Sequence, residues 1–192
     1  DKAFQSFVKD NDFWLDNYAL YMAIKESYKG KSFSEWKEDD RLRKKAAIKK
    51  RMQDEKFVKE VHFWKFTQYL FYSQWNELKS YANEKGVRII GDIPIYVAFD
   101  SADTWANPEL FQLDKNNLPI GVAGCPPDYF SPTGQLWGNP LYRWDYHKET
   151  GYAWWLKRLE FCFKMYDVVR IDHFRGFDEY YAIPYGDPTA EF

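Results

Sequence analysis

Apolar residues recur at helical spacing through the first half of the chain. After Asn11, a residue suited to capping, Phe13, Trp14, Leu15, Tyr18, Tyr21, Met22 and Ile24 share one broad face until Gly30, which predicts a helix over residues 11–29. Ser32 followed by Glu35 is a capping-box signature, in which each side chain satisfies a backbone N–H of the first turn. Residues 39–55 hold helix formers with little apolar face, so they are expected to be helical and exposed. Another helix is expected over residues 61–82, where Val61, Trp64, Tyr69, Phe71, Trp75, Leu78 and Ala82 repeat and Gly86 offers a left-handed stop. Residues 11–85 thus read as a mostly helical portion.

The period changes at Val87. The β-branched run from Val87 to Ile93 is too short for a helix, and Pro94 cannot donate to a strand ladder, so a strand ending near Asp92 is expected. The same order returns later. Residues 151–166 place Trp155, Leu156, Leu159, Phe163 and Tyr166 on a core-facing helix side, and residues 168–174 read as a strand. Two helix–strand units argue for an α/β fold with parallel strands, in which functional side chains gather at the strands' carboxyl ends. Asp92 and Asp172 stand at such ends. Between the units, residues 96–150 are rich in Pro, Gly, Asn, Trp and Tyr. A stretch that long and that aromatic is expected to be an ordered inserted loop over a site rather than disorder.

The 192 residues suffice for one domain with a sizeable core. A net charge of −2 provides no global field to recruit nucleic acid or an anionic membrane. The basic run from Arg41 to Arg51 has acidic neighbours and no interleaved aromatics, so it reads as a solvated helical face. No apolar run reaches membrane-spanning length, the start Asp1-Lys2-Ala3-Phe4 has no signal-peptide pattern, and Cys125 and Cys162 are too few for a disulfide framework. A soluble, cytoplasmic protein is the resulting expectation. His62, His147 and His173 lack metal-ligand spacing and no Gly-rich phosphate loop is present, so no metal and no cofactor is implied. Aromatic residues make up 21% of the chain. Most serve a core, but those in loops suit pyranose rings, whose C–H faces are apolar and whose hydroxyls need polar partners at the rim.

In Arg170-Ile171-Asp172 the strand period puts Arg170 and Asp172 on one face and Ile171 on the other. A guanidinium beside a carboxylate favours the ionised form, the form that attacks an anomeric carbon in a retaining glycosyl transfer. An ordinary structural Arg–Asp pair has the same tripeptide.

The wider surroundings add to this reading. The segments Gly91-Asp92-Ile93-Pro94-Ile95-Tyr96-Val97, Asp100-Ser101-Ala102-Asp103-Thr104-Trp105-Ala106-Asn107-Pro108, Val122-Ala123-Gly124-Cys125-Pro126-Pro127-Asp128-Tyr129-Phe130-Ser131, Gly134-Gln135-Leu136-Trp137-Gly138-Asn139-Pro140-Leu141-Tyr142 and Val169-Arg170-Ile171-Asp172-His173-Phe174-Arg175-Gly176-Phe177 resemble those of the amylomaltases, the 4-α-glucanotransferases of bacteria and plants. The resemblance covers essentially the whole chain. It implies an eight-stranded TIM-type (β/α)8 barrel, of which residues 1–192 would supply the third and fourth strands, a long inserted loop and additional helices as part of a single catalytic barrel domain. It further implies that Asp172 is the nucleophile and that Arg170, Asp92 and His173 line the subsite of the transferred sugar. Tyr129 and Phe130 would form an acceptor-side aromatic flap, with Trp137 and Asn139 in the adjoining wall, although these rings could instead pack the loop. Partners would be maltooligosaccharides and α-1,4-glucans.

The family's glutamate acid/base follows its fifth strand, and a further aspartate follows its seventh; neither motif occurs here. Glu179 and Glu191 sit in no such motif. With its start at Asp1 the chain therefore reads as a segment of a longer enzyme, inactive alone, whose open strand edges would favour self-association. A maltodextrin-binding, catalytically incomplete fragment and an amylase-like hydrolase are the alternatives.

Overall fold

The computed structural model describes residues 1–191, which form two compact units: Asp1–Glu84 with Asp100–Ala106, and Lys85–Phe99 with the chain from Asn107 onward.

The first unit is helical. It contains α1 (Lys2–Asp10), α2 (Asp12–Ser27), α3 (Glu38–Arg41), α4 (Lys45–Arg51), α5 (Glu55–Glu84) and α6 (Ala102–Ala106). Asp1 caps α1 by accepting from the Ala3 N–H at 2.9 Å. The apolar period of α2 buries Leu15, Ala19, Tyr21, Ala23 and Ile24. Ser32 caps a short 3₁₀ turn, Phe33–Glu35, and Trp36 after it packs against Tyr21, Tyr28 and Trp105. Along α5, Tyr69 and Tyr72 meet Phe7 of α1 at ring separations of 5.6 and 5.8 Å. In this unit Tyr21, Phe33, Trp36, Phe57 and Trp105 are buried, while Phe13, Phe63, Phe66, Phe71 and Tyr81 are exposed.

The expected exposure of residues 39–55 fails at Asp40, which is 5% exposed. Its carboxylate accepts from Arg51 Nε at 2.8 Å and Nη2 at 2.6 Å, and from the Tyr28 hydroxyl at 2.7 Å. Desolvation works to raise its pKa, and the Arg51 and Tyr28 hydrogen bonds outweigh that, leaving it below the ordinary carboxylate value. Periodicity could not reveal this, because the partners that make burial tolerable lie on other turns of the chain. Asp100 is a second node: it accepts from the Tyr21 hydroxyl at 2.5 Å, the Phe33 N–H at 3.1 Å and the Lys25 ammonium.

The second unit holds β1 (Ile90–Pro94), β2 (Gly121–Cys125), β3 (Gln135–Pro140), α7 (Trp144–Glu149), α8 (Ala153–Met165), β4 (Val168–Asp172) and β5 (Tyr181–Pro184). Strands β1 and β4 pair in parallel, with Asp92 opposite Arg170 and Pro94 opposite Asp172. The remaining strands form an antiparallel sheet in the order β3-β2-β5. The core lies under these elements and includes Ile95, Tyr96, Phe111, Leu141, Tyr142 and Trp155.

Several boundaries differ from the expected ones. Strand β1 starts at Ile90, because the Ile89 N–H is taken by the Asp167 carboxylate at 2.8 Å, and it ends at Pro94, two residues past Asp92. Proline is accommodated as the terminal residue, where a missing donor matters least. Cys125 closes β2 rather than lying in a loop, and both cysteines are free. Of the expected apolar face of α8, Trp155 is buried while Leu156 and Phe163 are exposed. These two sit about 80–100° around the helix from Trp155 at 3.6 residues per turn, beyond the arc that the core covers. Among the described residues no helix is long and apolar enough to cross a membrane.

Candidate active site

Alternation along the parallel pair decides which side chains meet. On β1 the residues Ile90, Asp92 and Pro94 are exposed while Gly91 and Ile93 are covered or buried, and on β4 Val168, Arg170 and Asp172 occupy the open face. Asp92, Arg170 and Asp172 therefore project from the same side. Arg170 bridges the two carboxylates, with Nη1 donating to Asp92 Oδ2 at 2.5 Å and Nη2 to Asp172 Oδ1 at 2.7 Å. The hydrogen bond to Asp92 and then that to Asp172 hold the guanidinium pKa above its ordinary value. All three side chains are more than half exposed, so the bridge contributes little to stability and its consequence is geometric. One planar fork holds two carboxylates at fixed positions and leaves Asp172 Oδ2 without a partner from Arg170.

Backbone contacts fix this end of β1. Arg158, reaching from α8, donates to the Pro94 carbonyl at 2.6 Å and the Ile95 carbonyl at 3.0 Å, with its guanidinium 4.8 Å from the Trp155 ring. The Asn139 amide donates to the Val97 carbonyl at 2.8 Å, tying β3 to the segment after β1. Asn139 is thus engaged with backbone.

His173 follows β4 in a left-handed conformation, φ +52°, ahead of a 3₁₀ turn over Phe174–Phe177. Its imidazole meets Trp137 of β3 edge to face at 5.0 Å and 87°. The Trp137 indole N–H donates to Gln135 Oε1 at 2.9 Å, and the side chain is partly exposed. Tyr129 and Phe130 are 95% and 91% exposed and meet each other at 5.7 Å and 90°, so neither packs the loop onto the body of the unit. Asp128 holds that loop: Oδ1 accepts from the N–H groups of Phe130 at 2.9 Å and Ser131 at 2.8 Å. Its own N–H donates to the Ser131 carbonyl at 3.0 Å.

The structure thus joins Asp92, Arg170 and Asp172 in one bridge, His173 with Trp137 in a ring pair, and Tyr129 with Phe130 in another. Glu179 pairs with Arg175 at 2.7 Å. Sequence reasoning passed over Arg158, Tyr96 and Gly176, which shape the surroundings of this site. Arg158 carried one readable signal, a charge beside the apolar period of Trp155 and Leu159.

The arginine-bridged carboxylates stand at the carboxyl ends of paired parallel strands, the end at which β/α enzymes gather their functional side chains. The sequence matches the family described as 4-alpha-glucanotransferase over residues 1–192, and the chain belongs to that family. It is 50% identical to the 4-alpha-glucanotransferase of Clostridium butyricum over 192 residues, which is 100% of this chain and 39% of that protein. The chloroplastic/amyloplastic enzyme of Solanum tuberosum is 42% identical over 92% of this chain and 30% of its own length. The amylomaltase from Streptococcus agalactiae, solved in complex with acarbose, superposes with a TM-score of 0.93 at 45% identity, covering 98% of this chain and 38% of that one. The chain therefore spans about two fifths of the length of the bacterial relatives it matches.

Proposed function

We propose that this chain is part of a longer 4-α-glucanotransferase, one cytoplasmic catalytic barrel in which β1 and β4 are the third and fourth strands and residues 96–150 the inserted substrate-binding loop. The observation that carries the reading is the Arg170 bridge between Asp92 and Asp172 at the carboxyl ends of paired parallel strands.

In this reading Asp172 attacks the anomeric carbon of an α-1,4-glucan. The new bond joins C1 to a carboxylate oxygen, the C1–O4 bond breaks, and the leaving O4 takes a proton from a carboxylic acid supplied outside residues 1–192. Retaining chemistry asks for such a group about 5–5.5 Å from the nucleophile. The 4-hydroxyl of an acceptor glucose or maltooligosaccharide then displaces Asp172 and returns its proton to the same acid. Arg170 orients the nucleophile and keeps Asp92 fixed beside it, where Asp92 accepts from sugar hydroxyls. Trp137 and His173 offer ring surface to the bound glucosyl unit, and Tyr129 with Phe130 lie across the acceptor side. Their apolar faces favour a sugar over water at the intermediate, which turns the balance toward transfer instead of hydrolysis.

The test is maltotriose disproportionation, followed as free glucose and longer maltodextrins, in this chain and in the complete enzyme with and without Asp172→Asn. Transfer by the complete enzyme alone, lost in Asp172→Asn, is expected. Undiminished turnover in Asp172→Asn sinks the assignment, and equal activity of the short chain means that it supplies its own acid.

A further inference from the structure

Tyr96 stands two residues beyond the carboxyl end of β1 and is 5% exposed, with its hydroxyl buried and without a hydrogen-bond partner among the described residues. Burial pushes its pKa up to about 12, so the phenol is neutral. A buried hydroxyl with no partner destabilises relative to a phenyl ring in the same place, so the ring is the part of the side chain that this position uses.

That ring joins three other rings in one aromatic cluster. On the core side it stacks on Tyr142 at 5.9 Å and 19°, and Tyr142 is itself anchored by donating its hydroxyl to the Ile95 carbonyl at 2.7 Å. It also meets, at a tilt, Trp137 at 6.4 Å and 49° and His173 at 6.4 Å and 38°, the two rings that meet each other at 5.0 Å. Gly176 permits the close approach. A Cβ there would stand 2.9 Å from Ile95 Cδ1, 3.0 Å from His173 Cδ2 and 3.3 Å from the Tyr96 hydroxyl. His173 holds a positive φ that a side-chain-bearing residue keeps only where its surroundings enforce it, and the Tyr96 ring is one of those surroundings.

We propose that Tyr96, given room by Gly176, is a positioning residue: it sets where the Trp137 and His173 rings stand against a bound glucosyl unit, and so governs glucan affinity beside Asp172. This rests on the glucan-transfer reading of the site. The reacting atoms do not touch Tyr96, so its loss is felt in binding more than in the chemical step.

The experiment uses maltotriose kinetics of the complete enzyme, with active protein normalised to its folded fraction. Tyr96→Leu removes the ring and is expected to raise KM about five- to tenfold, with kcat falling less than about threefold. Tyr96→Phe keeps the ring, so KM returns to within about twofold of the parent and the melting temperature does not fall. Gly176→Ala keeps the Tyr96 ring but crowds Ile95, His173 and the Tyr96 hydroxyl, and it is expected to raise KM in the same way, which keeps the proposal testable if Tyr96→Leu does not fold. A parental KM per folded molecule in Tyr96→Leu, or in Gly176→Ala if Tyr96→Leu does not fold, overturns the inference and leaves Tyr96 as core. An equal loss in Tyr96→Phe and Tyr96→Leu also overturns it, because the hydroxyl would then be what matters. Asp172→Asn, assayed alongside, separates the two claims: if it transfers glucan normally the site reading itself fails, whereas if it is dead and Tyr96→Leu has a parental KM only the present inference fails.

Discussion

Replacing Asp40 by alanine is expected to be among the costliest single changes in the helical unit. The substitution deletes both oxygens of a two-pronged contact with Arg51 and the acceptor of the Tyr28 hydroxyl. Breaking a fully buried ion pair from one side costs about 3–5 kcal/mol, since an uncompensated charge stays behind; here Arg51 still donates to Ser27 Oγ at 3.3 Å. The Arg51 side chain keeps 25% exposure, so water recovers part of that loss, and about 2–3 kcal/mol is expected. At about 2–4 °C per kcal/mol for a chain of this size, the melting temperature falls by roughly 5–10 °C. The sign with pH follows from the depressed pKa of Asp40 in the folded state. The contribution is fully present above the unfolded value near 3.8 and is lost as pH falls through the lower folded value. Thermal unfolding of the parent, Asp40→Ala, Arg51→Ala and the double variant forms a closed cycle that isolates the pair. A coupling energy of zero, or a shift under about 1 °C in Asp40→Ala, would refute the reasoning.

Further outcomes follow from single contacts. Gly124→Ala would set a Cβ 2.1 Å from the Gln135 carbonyl oxygen and 2.4 Å from Ile183 Cδ1 in the central strand of the antiparallel sheet. It is expected to cost about 1–3 kcal/mol and to speed hydrogen exchange in β2 and β3, while unchanged exchange would contradict that geometry. Arg170→Lys replaces a fork that holds two carboxylates with a point charge that can hold one at a time, so about a 10²-fold loss of kcat is expected in the complete enzyme. Parental kcat would mean that the bridge does not set the nucleophile's position. His147 is fully buried, its Nε2 faces the Leu110 carbonyl at 3.1 Å, and its Nδ1 has no partner. Desolvation lowers its pKa, with the hydrogen bond to Leu110 opposing, so its contribution is whole above pH 6.5 and declines as pH falls below that. The melting temperature should therefore drop between pH 7 and pH 5, less steeply in His147→Phe, and parallel profiles for the two proteins would exclude this origin.

Much of the architecture was legible in local pattern. The period of α2 and the β-branched runs at Ile90 and Val168 depend on which face each segment buries, and that information is local. Helix α5 forms as its period predicts but buries Phe57 and Val61, while Phe71 and Leu78 of the expected face are exposed. The two-residue spacing of Arg170 and Asp172 fixed their common face for the same reason, and the order of the motifs pointed to a glucan-transfer family before any contact was known. Asp92 was harder, because its approach to Arg170 requires a parallel register across 78 residues of sequence.

What the tertiary structure alone decided are the meetings between distant residues. Asp40 looked like part of a solvated run and is a buried acceptor, because Tyr28 and Arg51 converge on it. Leu156 and Phe163 looked like core and are open, because the core covers only the Trp155 side of their helix. Tyr96 looked like one more motif aromatic. Its contact with Tyr142 and with the Trp137–His173 pair depends on three segments meeting, with a glycine where a side chain would be tight. Periodicity reports the face that a segment buries, but the partner on that face is set by packing, and packing is a property of the folded chain.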